Sequence, residues 1–308
     1  MVTRKLGHSN LEITPLCLGG NVFGRIDDSM AFAVLDAYVA AGGNFIDTAD
    51  IYATGESERV IGRWVKQRGN RDKVMIATKV GKPMAPDKQG LSRKYIFQAA
   101  EDSLTRLQTD VIDLYQSHED DTGTSLEETM QAFDELVKQG KVRYIGASNF
   151  TAERLAEAEQ VCQQHGYVRY ESLQPLYNLM DREEFENGLQ QLSIEQEIGV
   201  IPYFSLARGF LSGKYRPNQP LPESRRAGGV QKLYMNERGF AILEAVDQVA
   251  AKHNAKPAQV SLAWLMAQPG ITAPISSATS PGQVNELMQA IELKLTDEDL
   301  EALTDAGK

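Results

Sequence analysis

Residues 44–52 read Asn44-Phe45-Ile46-Asp47-Thr48-Ala49-Asp50-Ile51-Tyr52, a short apolar run that meets an aspartate, with a tyrosine five positions on. Two later stretches repeat the plan. Val74-Met75-Ile76-Ala77-Thr78 leads into Lys79, and Ile112-Asp113-Leu114-Tyr115-Gln116-Ser117 leads into His118. Such runs, bounded by polar residues, read as buried strands. Stretches with helical spacing separate them. If the strands run parallel, their C-terminal ends share one rim, and Asp47, Tyr52, Lys79 and His118 meet there. Together these four side chains make a proton-donating site for a carbonyl.

The same alternation covers the rest of the chain. Residues 2–13 read as a hairpin about the polar turn Gly7-His8-Ser9-Asn10. Strands are expected at 16–18, 44–47, 74–78, 111–117, 142–147, 171–174, 200–204 and 271–275. Helices are expected at 29–41, 57–67, 92–107, 125–138, 151–164, 184–198, 239–253, 257–267, 281–292 and 297–304. Ser57, Ser92 and Thr296 stand at N-cap positions. Ser125, with Glu128 three residues on, predicts a capping box. Eight strand–helix units in strict order predict a parallel α/β barrel, (β/α)8, as one domain over residues 1–308. An open doubly wound sheet would carry G-x-G-x-x-G after its first strand, and that motif is absent. The stretch 205–238 is the one long irregular segment; such loops are usually lids or binding loops.

Composition narrows the function. The formal net charge is −10 over 308 residues, which argues against a nucleic-acid surface. Cys17 and Cys162 have no metal-like spacing and read as buried, reduced thiols, which suits a cytoplasmic protein. No apolar run is long enough for a membrane span, and the first residues carry no apolar signal core. No metal is expected, since only His118 among the histidines ends a strand; this makes a metal-dependent barrel hydrolase improbable.

During hydride attack on a carbonyl carbon, negative charge grows on the oxygen, and a donor there lowers the barrier. A phenol is a weak acid, so a nearby lysine ammonium is expected to pull its pKa down. An aspartate keeps that lysine in place and charged. Taken singly, each residue has a duller reading: a loop cap, a solvated lysine, a packed tyrosine, a rim histidine. Four of them in order after the second, third and fourth strands make coincidence a poor account.

The strings NFIDTADIY, MIATKV and LYQSH, with these four residues, resemble the aldo-keto reductase family in its bacterial type, and also its potassium-channel β-subunit branch. The resemblance covers nearly the whole chain. It implies a general acid at Tyr52, a tuning pair at Lys79 and Asp47, and an orienting His118. It implies NADP(H) as cofactor, with NAD(H) open. Gly20, Asn21 and Asp47 would border it. Ser148, Asn149 and Gln174 match the carboxamide site, and Tyr203 matches the stacking aromatic. Ser205, Leu206, Arg208 and Lys214 resemble the pyrophosphate wrap. At the adenosine end Gln283 and Glu286 match, while Ser277 and Thr279 replace the usual glycine and basic or serine residue. No cation stands in that row, so Arg225 or Arg226 is expected to reach over. The implied substrate is a small carbonyl or alcohol, such as a sugar or small aldehyde, in a pocket near residues 21–26, 52–55, 80–91 and 119–124 that is expected to be open. A non-catalytic, cofactor-sensing regulatory subunit is the alternative, and turnover discriminates it.

Overall fold

Every expected strand forms, and they form one closed ring. The computed structural model describes residues 2–307. β1 (Arg4–Lys5) and β2 (Glu12–Ile13) make the antiparallel hairpin. Eight parallel strands follow: β3 (Cys17–Gly19), β4 (Phe45–Asp47), β5 (Met75–Val80), β6 (Ile112–Ser117), β7 (Val142–Ser148), β8 (Tyr170–Gln174), β9 (Gly199–Val200) and β10 (Ile275–Ser276). Each of β3 to β9 lies beside the next, and β10 lies beside β3. The ring closes where Ile271 bridges Val200 and the Ile275 N–H donates to Pro202 O at 2.9 Å. Closure leaves no exposed strand edge. The fold is the (β/α)8 barrel.

The helices are α1 (Asp28–Ala40), α2 (Glu56–Arg68), α3 (Arg93–Leu107), α4 (Leu126–Lys138), α5 (Ala152–His165), α6 (Gln190–Glu195), α7 (Ala227–Tyr234), α8 (Glu237–Lys252), α9 (Pro257–Ala267), α10 (Pro281–Met288) and α11 (Asp297–Ala306). Their apolar faces pack on the outside of the barrel in one large core. A second, smaller core fills the barrel's N-terminal end. There Leu6, Leu11 and Ile13 of the hairpin meet Cys17, Phe45, Ala77, Leu114, Ile201 and Ala273. The barrel is therefore stoppered at the bottom, and only its C-terminal rim is open to a ligand. Among the described residues no helix is long and apolar enough to cross a membrane.

Local signals mostly hold. Ser92 and Ser125 accept from the N–H groups of Tyr95 and Glu128. Thr296 makes a full capping box with Asp299. The box expected of Glu128 does not close, because its carboxylate accepts from the Arg93 N–H at 2.9 Å instead. Ser57 is not a cap. Gly55 holds that position with φ 83°, and the Ser57 hydroxyl lies inside, 2.7 Å from Thr48 Oγ1 and donating to Gly20 O. The helix expected over 184–198 breaks at Asn187 and Gly188, which are non-helical, and α6 is short. The strands expected at 200–204 and 271–275 shrink to two-residue ladders, since Pro202 and Pro274 have no N–H to donate. Within 205–238 the chain is not irregular throughout: it forms a 3-10 turn at Ala207–Ser212 and then α7.

The buried Tyr38 phenol on α1 fastens two strands. It donates to Leu16 O at 2.7 Å and lies 3.0 Å from Phe45 O, while the Phe45 N–H donates to it at 3.2 Å. Tyr38→Phe strips these partners inside the core. We expect a loss of about 1–3 kcal/mol in urea denaturation, the usual cost of orphaning buried polar groups.

Candidate active site

At the rim, the inward-facing residues change from apolar to polar. Asp47 ends β4, Gln116 lies in β6 and Gln174 ends β8. Gln174 Nε2 donates to Asp47 Oδ1 at 2.9 Å, and Gln116 Nε2 donates to the same oxygen at 3.4 Å. Side chains from alternate strands thus make one layer, as barrel packing requires. Lys79 enters this layer from β5, which runs past its expected end to Val80. Its side chain is wholly buried, and its ammonium donates to Asp47 Oδ2 at 2.7 Å, to Thr48 O at 2.8 Å and to Tyr52 Oη at 3.4 Å. Burial works to strip the ammonium's proton. The Asp47 carboxylate and the Tyr52 phenol outweigh it and hold the Lys79 pKa above its ordinary value. Close packing matters beside this layer too. A Cβ on Gly146 would lie 2.1 Å from Ser172 Oγ, so any other residue there forces the Ser172 side chain to move.

Tyr52 returns to Lys79 through a tight turn in which Ala53, Thr54 and Gly55 all have positive φ. Non-glycine residues rarely adopt that conformation without compensation from their surroundings. The His118 ring meets the Tyr52 ring edge-on, 5.9 Å between centroids. His118 is buried, its Nδ1 has no partner among the described residues, and its carbonyl accepts from Asn149 Nδ2 at 2.9 Å. Burial first, then the ammonium groups of Lys79 and Lys82, push the imidazole down to about 2, so it is neutral at neutral pH. Tyr52 departs from expectation. Burial raises the phenol's pKa, Lys79 opposes it and Asp47 adds to the rise, and the net shift is upward. The lysine moderates the phenol without lowering it below its ordinary value.

The four residues expected at one rim are therefore in one place. Asp47, Tyr52 and His118 line a cleft of about 1070 Å³, and Lys79 stands behind them. The same cleft is lined by Asn21, Ser148, Asn149, Gln174, Tyr203, Ser205, Leu206, Arg208, Lys214, Arg225, Ser277, Thr279, Gln283 and Glu286. Gly20 is not on its wall. Gly19 is, while Gly20 is buried with its N–H given to Asp47 O. Several lining groups already hold one another. Ser148 Oγ donates to Gln174 O, Tyr203 Oη donates to Asn149 Oδ1, Ser277 Oγ donates to Asn21 Oδ1 and Thr279 donates to Gln283 Oε1. Other groups are unmet. The amides of Ser205 and Leu206 donate to no group among the described residues, and Arg208 Nε is buried without a partner.

Two features escaped sequence reading. A cation does reach the adenosine-side segment: Lys256, from the start of α9, is 2.5 Å from Glu286. Its distance along the chain hid it. Behind the rim, Asp50 is buried with neither carboxylate oxygen hydrogen-bonded among the described residues. Nearby Glu58 is buried too, but it accepts from Thr78 Oγ1 and Arg106 Nε, each at 2.6 Å. Burial first, then the Glu58 charge, push Asp50 up to about 7. Its place inside the string NFIDTADIY was the only available signal.

A closed barrel with a phenol, a buried ammonium and a neutral imidazole at its open rim suits an oxidoreductase that works on carbonyl or alcohol groups. Comparison with known proteins agrees. Residues 15–308 match the Aldo/keto reductase family, and the chain belongs to it. It is 35% identical to the uncharacterized oxidoreductase YrpG of Bacillus subtilis, over 97% of this chain and 94% of that one. It is 32% identical to the protein tas of Escherichia coli, over 97% and 95% of the two chains. It is 31% identical to the norsolorinic acid reductase B of Aspergillus parasiticus, over 97% and 82%.

Asp50 makes a prediction about pH. With its pKa raised to about 7 in the fold, it binds a proton that the unfolded chain has already released above its ordinary value of 3.8. Its contribution to stability is complete below that value and is lost as pH rises to about 7. Asp50→Asn abolishes this dependence. The stability of the variant relative to the unmodified protein should rise by roughly 1.4 kcal/mol per pH unit between about pH 4 and 7. Urea titrations at pH 4.5, 6 and 7.5 measure it; a constant difference would show that Asp50 is ionised throughout.

Proposed function

We propose that the protein is a cytoplasmic, NADP(H)-dependent reductase that converts an aldehyde or ketone to an alcohol, or the reverse, with Tyr52 as general acid and base. The observation that carries this reading is the Tyr52 phenol in the cleft, 3.4 Å from a buried ammonium and edge-on to a neutral imidazole. The donor set suits a nicotinamide dinucleotide. Ser148, Asn149 and the Oε1 of Gln174 would hold the carboxamide, and Tyr203 would cover the ring. The unmet amides of Ser205 and Leu206, the orphaned Nε of Arg208 and the Lys214 ammonium suit a pyrophosphate. Ser277, Thr279, Gln283 and Glu286 would border the adenosine, with Arg225 on a 2′-phosphate. When bound, this cofactor supplies the hydride.

The residues supply the rest. Burial keeps the Tyr52 phenol protonated at neutral pH, the state a general acid needs. Tyr52 Oη gives its proton to the substrate oxygen as the C=O π pair moves onto that oxygen. Lys79 then stabilises the phenolate until solvent returns a proton. Asp47 keeps Lys79 charged and aimed. His118 is uncharged, so it offers the substrate oxygen a hydrogen bond without repelling Lys79, and with Nδ1 enclosed its Nε2 is the nitrogen that faces the reaction.

Tyr52→Phe should cut carbonyl reduction by about 10²–10⁴-fold while coenzyme binding, read by fluorescence, changes less than a few-fold. Activity near that of the unmodified protein would place the acid elsewhere. Lys79→Met removes the cation that opposes burial, so the alkaline limb of the reduction profile should move to higher pH.

Arg225 is exposed, whereas the Arg226 guanidinium is stacked over Phe204, 5.5 Å from the ring centroid. Arg225→Ala should therefore weaken NADPH about ten- to a hundredfold and leave NADH nearly unchanged, the effect of one charge-assisted phosphate contact. Equal losses for both coenzymes in titration would place Arg225 on the pyrophosphate.

A further inference from the structure

The chain carries a net charge of −10, yet its cleft is lined by six cationic side chains: Arg25, Lys82, Arg208, Lys214, Arg225 and Arg226. Only two carboxylates line it, and both are taken, Asp47 by Lys79 and Glu286 by Lys256. None of the six cations has an ion pair among the described residues. Fixed positive charge gathered in a cleft without counter-charge is a site for anions. A dinucleotide accounts for part of it. Arg208 and Lys214 lie on the segment with unmet amides, and Arg225 is the group proposed above for the 2′-phosphate.

Arg25 and Lys82 remain. They come from different loops, after β3 and after β5, and line the same cleft as Tyr52 and His118. Lys82 is near enough to His118 to lower its proton affinity. Arg25 follows Gly24, which packs against Ala53, the residue after Tyr52; the proton affinity of Arg226 is lowered first by burial, then by Arg208 and Arg25. The acidic run after His118 does not neutralise them. Asp120 is paired with Arg154, Asp121 accepts from the Leu91 N–H and the Thr124 hydroxyl, and Glu119 does not line the cleft. Val22, Ile26 and Phe204 give the same space apolar walls.

Building on Tyr52 as the acid, we propose that the substrate is a carbonyl compound bearing a carboxylate on an apolar body, and that Arg25 and Lys82 hold the carboxylate while Tyr52 and His118 meet the carbonyl oxygen. Arg25 offers a planar fork that can take both carboxylate oxygens, and Lys82 offers a point charge from the opposite loop.

The test compares pairs in which a methyl ester replaces the carboxylate and removes its charge: 4-formylbenzoate with its methyl ester, and succinic semialdehyde with its methyl ester. With saturating NADPH, kcat/KM should favour the acid of at least one pair by about tenfold or more, and added KCl should shrink the preference. Arg25→Gln and Lys82→Gln should each lower the acid-to-ester ratio about ten- to a hundredfold, mainly through KM of the acid, and Arg25→Lys and Lys82→Arg should restore part of it. Calorimetry with NADP⁺ present should show 4-(hydroxymethyl)benzoate binding that weakens in the same variants. Esters reduced as well as acids would overturn the proposal. So would equal losses for acid and ester, which mark a structural role, or weakened NADPH binding in Arg25→Gln and Lys82→Gln, which would give both cations to the cofactor. If no acid and no ester is reduced at all, the catalytic reading itself fails and this proposal with it.

Discussion

One buried cation organises the rim of this barrel. The Lys79 side chain has no exposure to solvent, and an ammonium out of water costs several kcal/mol unless it is paired and hydrogen-bonded. Its three partners, Asp47, Thr48 O and Tyr52, come from β4 and the loop that follows it. That need keeps β4 beside β5, with Asp47 opposite Ala77, and brings the strained turn of Ala53 and Thr54 back to the rim. Asp47 then passes the constraint on, because its second oxygen is held by Gln174 and Gln116 from β8 and β6. The last layer of barrel packing and the chemistry of the site are the same set of contacts.

Around the Lys79–Asp47 pair, burial favours the uncharged forms of three other groups. It raises the Tyr52 phenol, lowers the His118 imidazole and raises the Asp50 carboxyl. The common cause is the penalty on charge in a poorly solvated place. The outcome is a protonated phenol and an uncharged imidazole beside the buried Lys79 ammonium. On the mechanism proposed above, such an arrangement would be polarised before a substrate arrives and would need little reorganisation as negative charge develops on an oxygen.

The backbone carries part of the cost of this arrangement. Ala53, Thr54, Asn149, Phe204, Ala207 and Arg208 all have positive φ without being glycine, and all lie in the segments that build the cleft. Conformations of this kind cost on the order of 1–3 kcal/mol each and persist only where the surroundings over-determine them. Here the over-determination comes from the rigid barrel below, stoppered by its hairpin, and from local bonds such as Ser205 Oγ to Pro202 O.

Much of this was legible in the chain. Short apolar runs and helical spacing gave the eight strand–helix units, and residues 44–52, 74–79 and 111–118 placed Asp47, Tyr52, Lys79 and His118 at one end of parallel strands. Those signals are local, set by backbone sterics and by which face of an element is apolar, so a reading along the chain reaches them. Residues distant in sequence decided the rest. Barrel closure at Pro202 and Pro274 depends on which N–H groups find partners across the ring. Lys256 meets Glu286 only because α9 packs beside α10. The rise of the Tyr52 pKa, where Lys79 alone suggested a fall, and the isolation of Asp50 depend on how much water the fold excludes. Desolvation and long-range charge are properties of separation in space, and only the tertiary structure sets that separation.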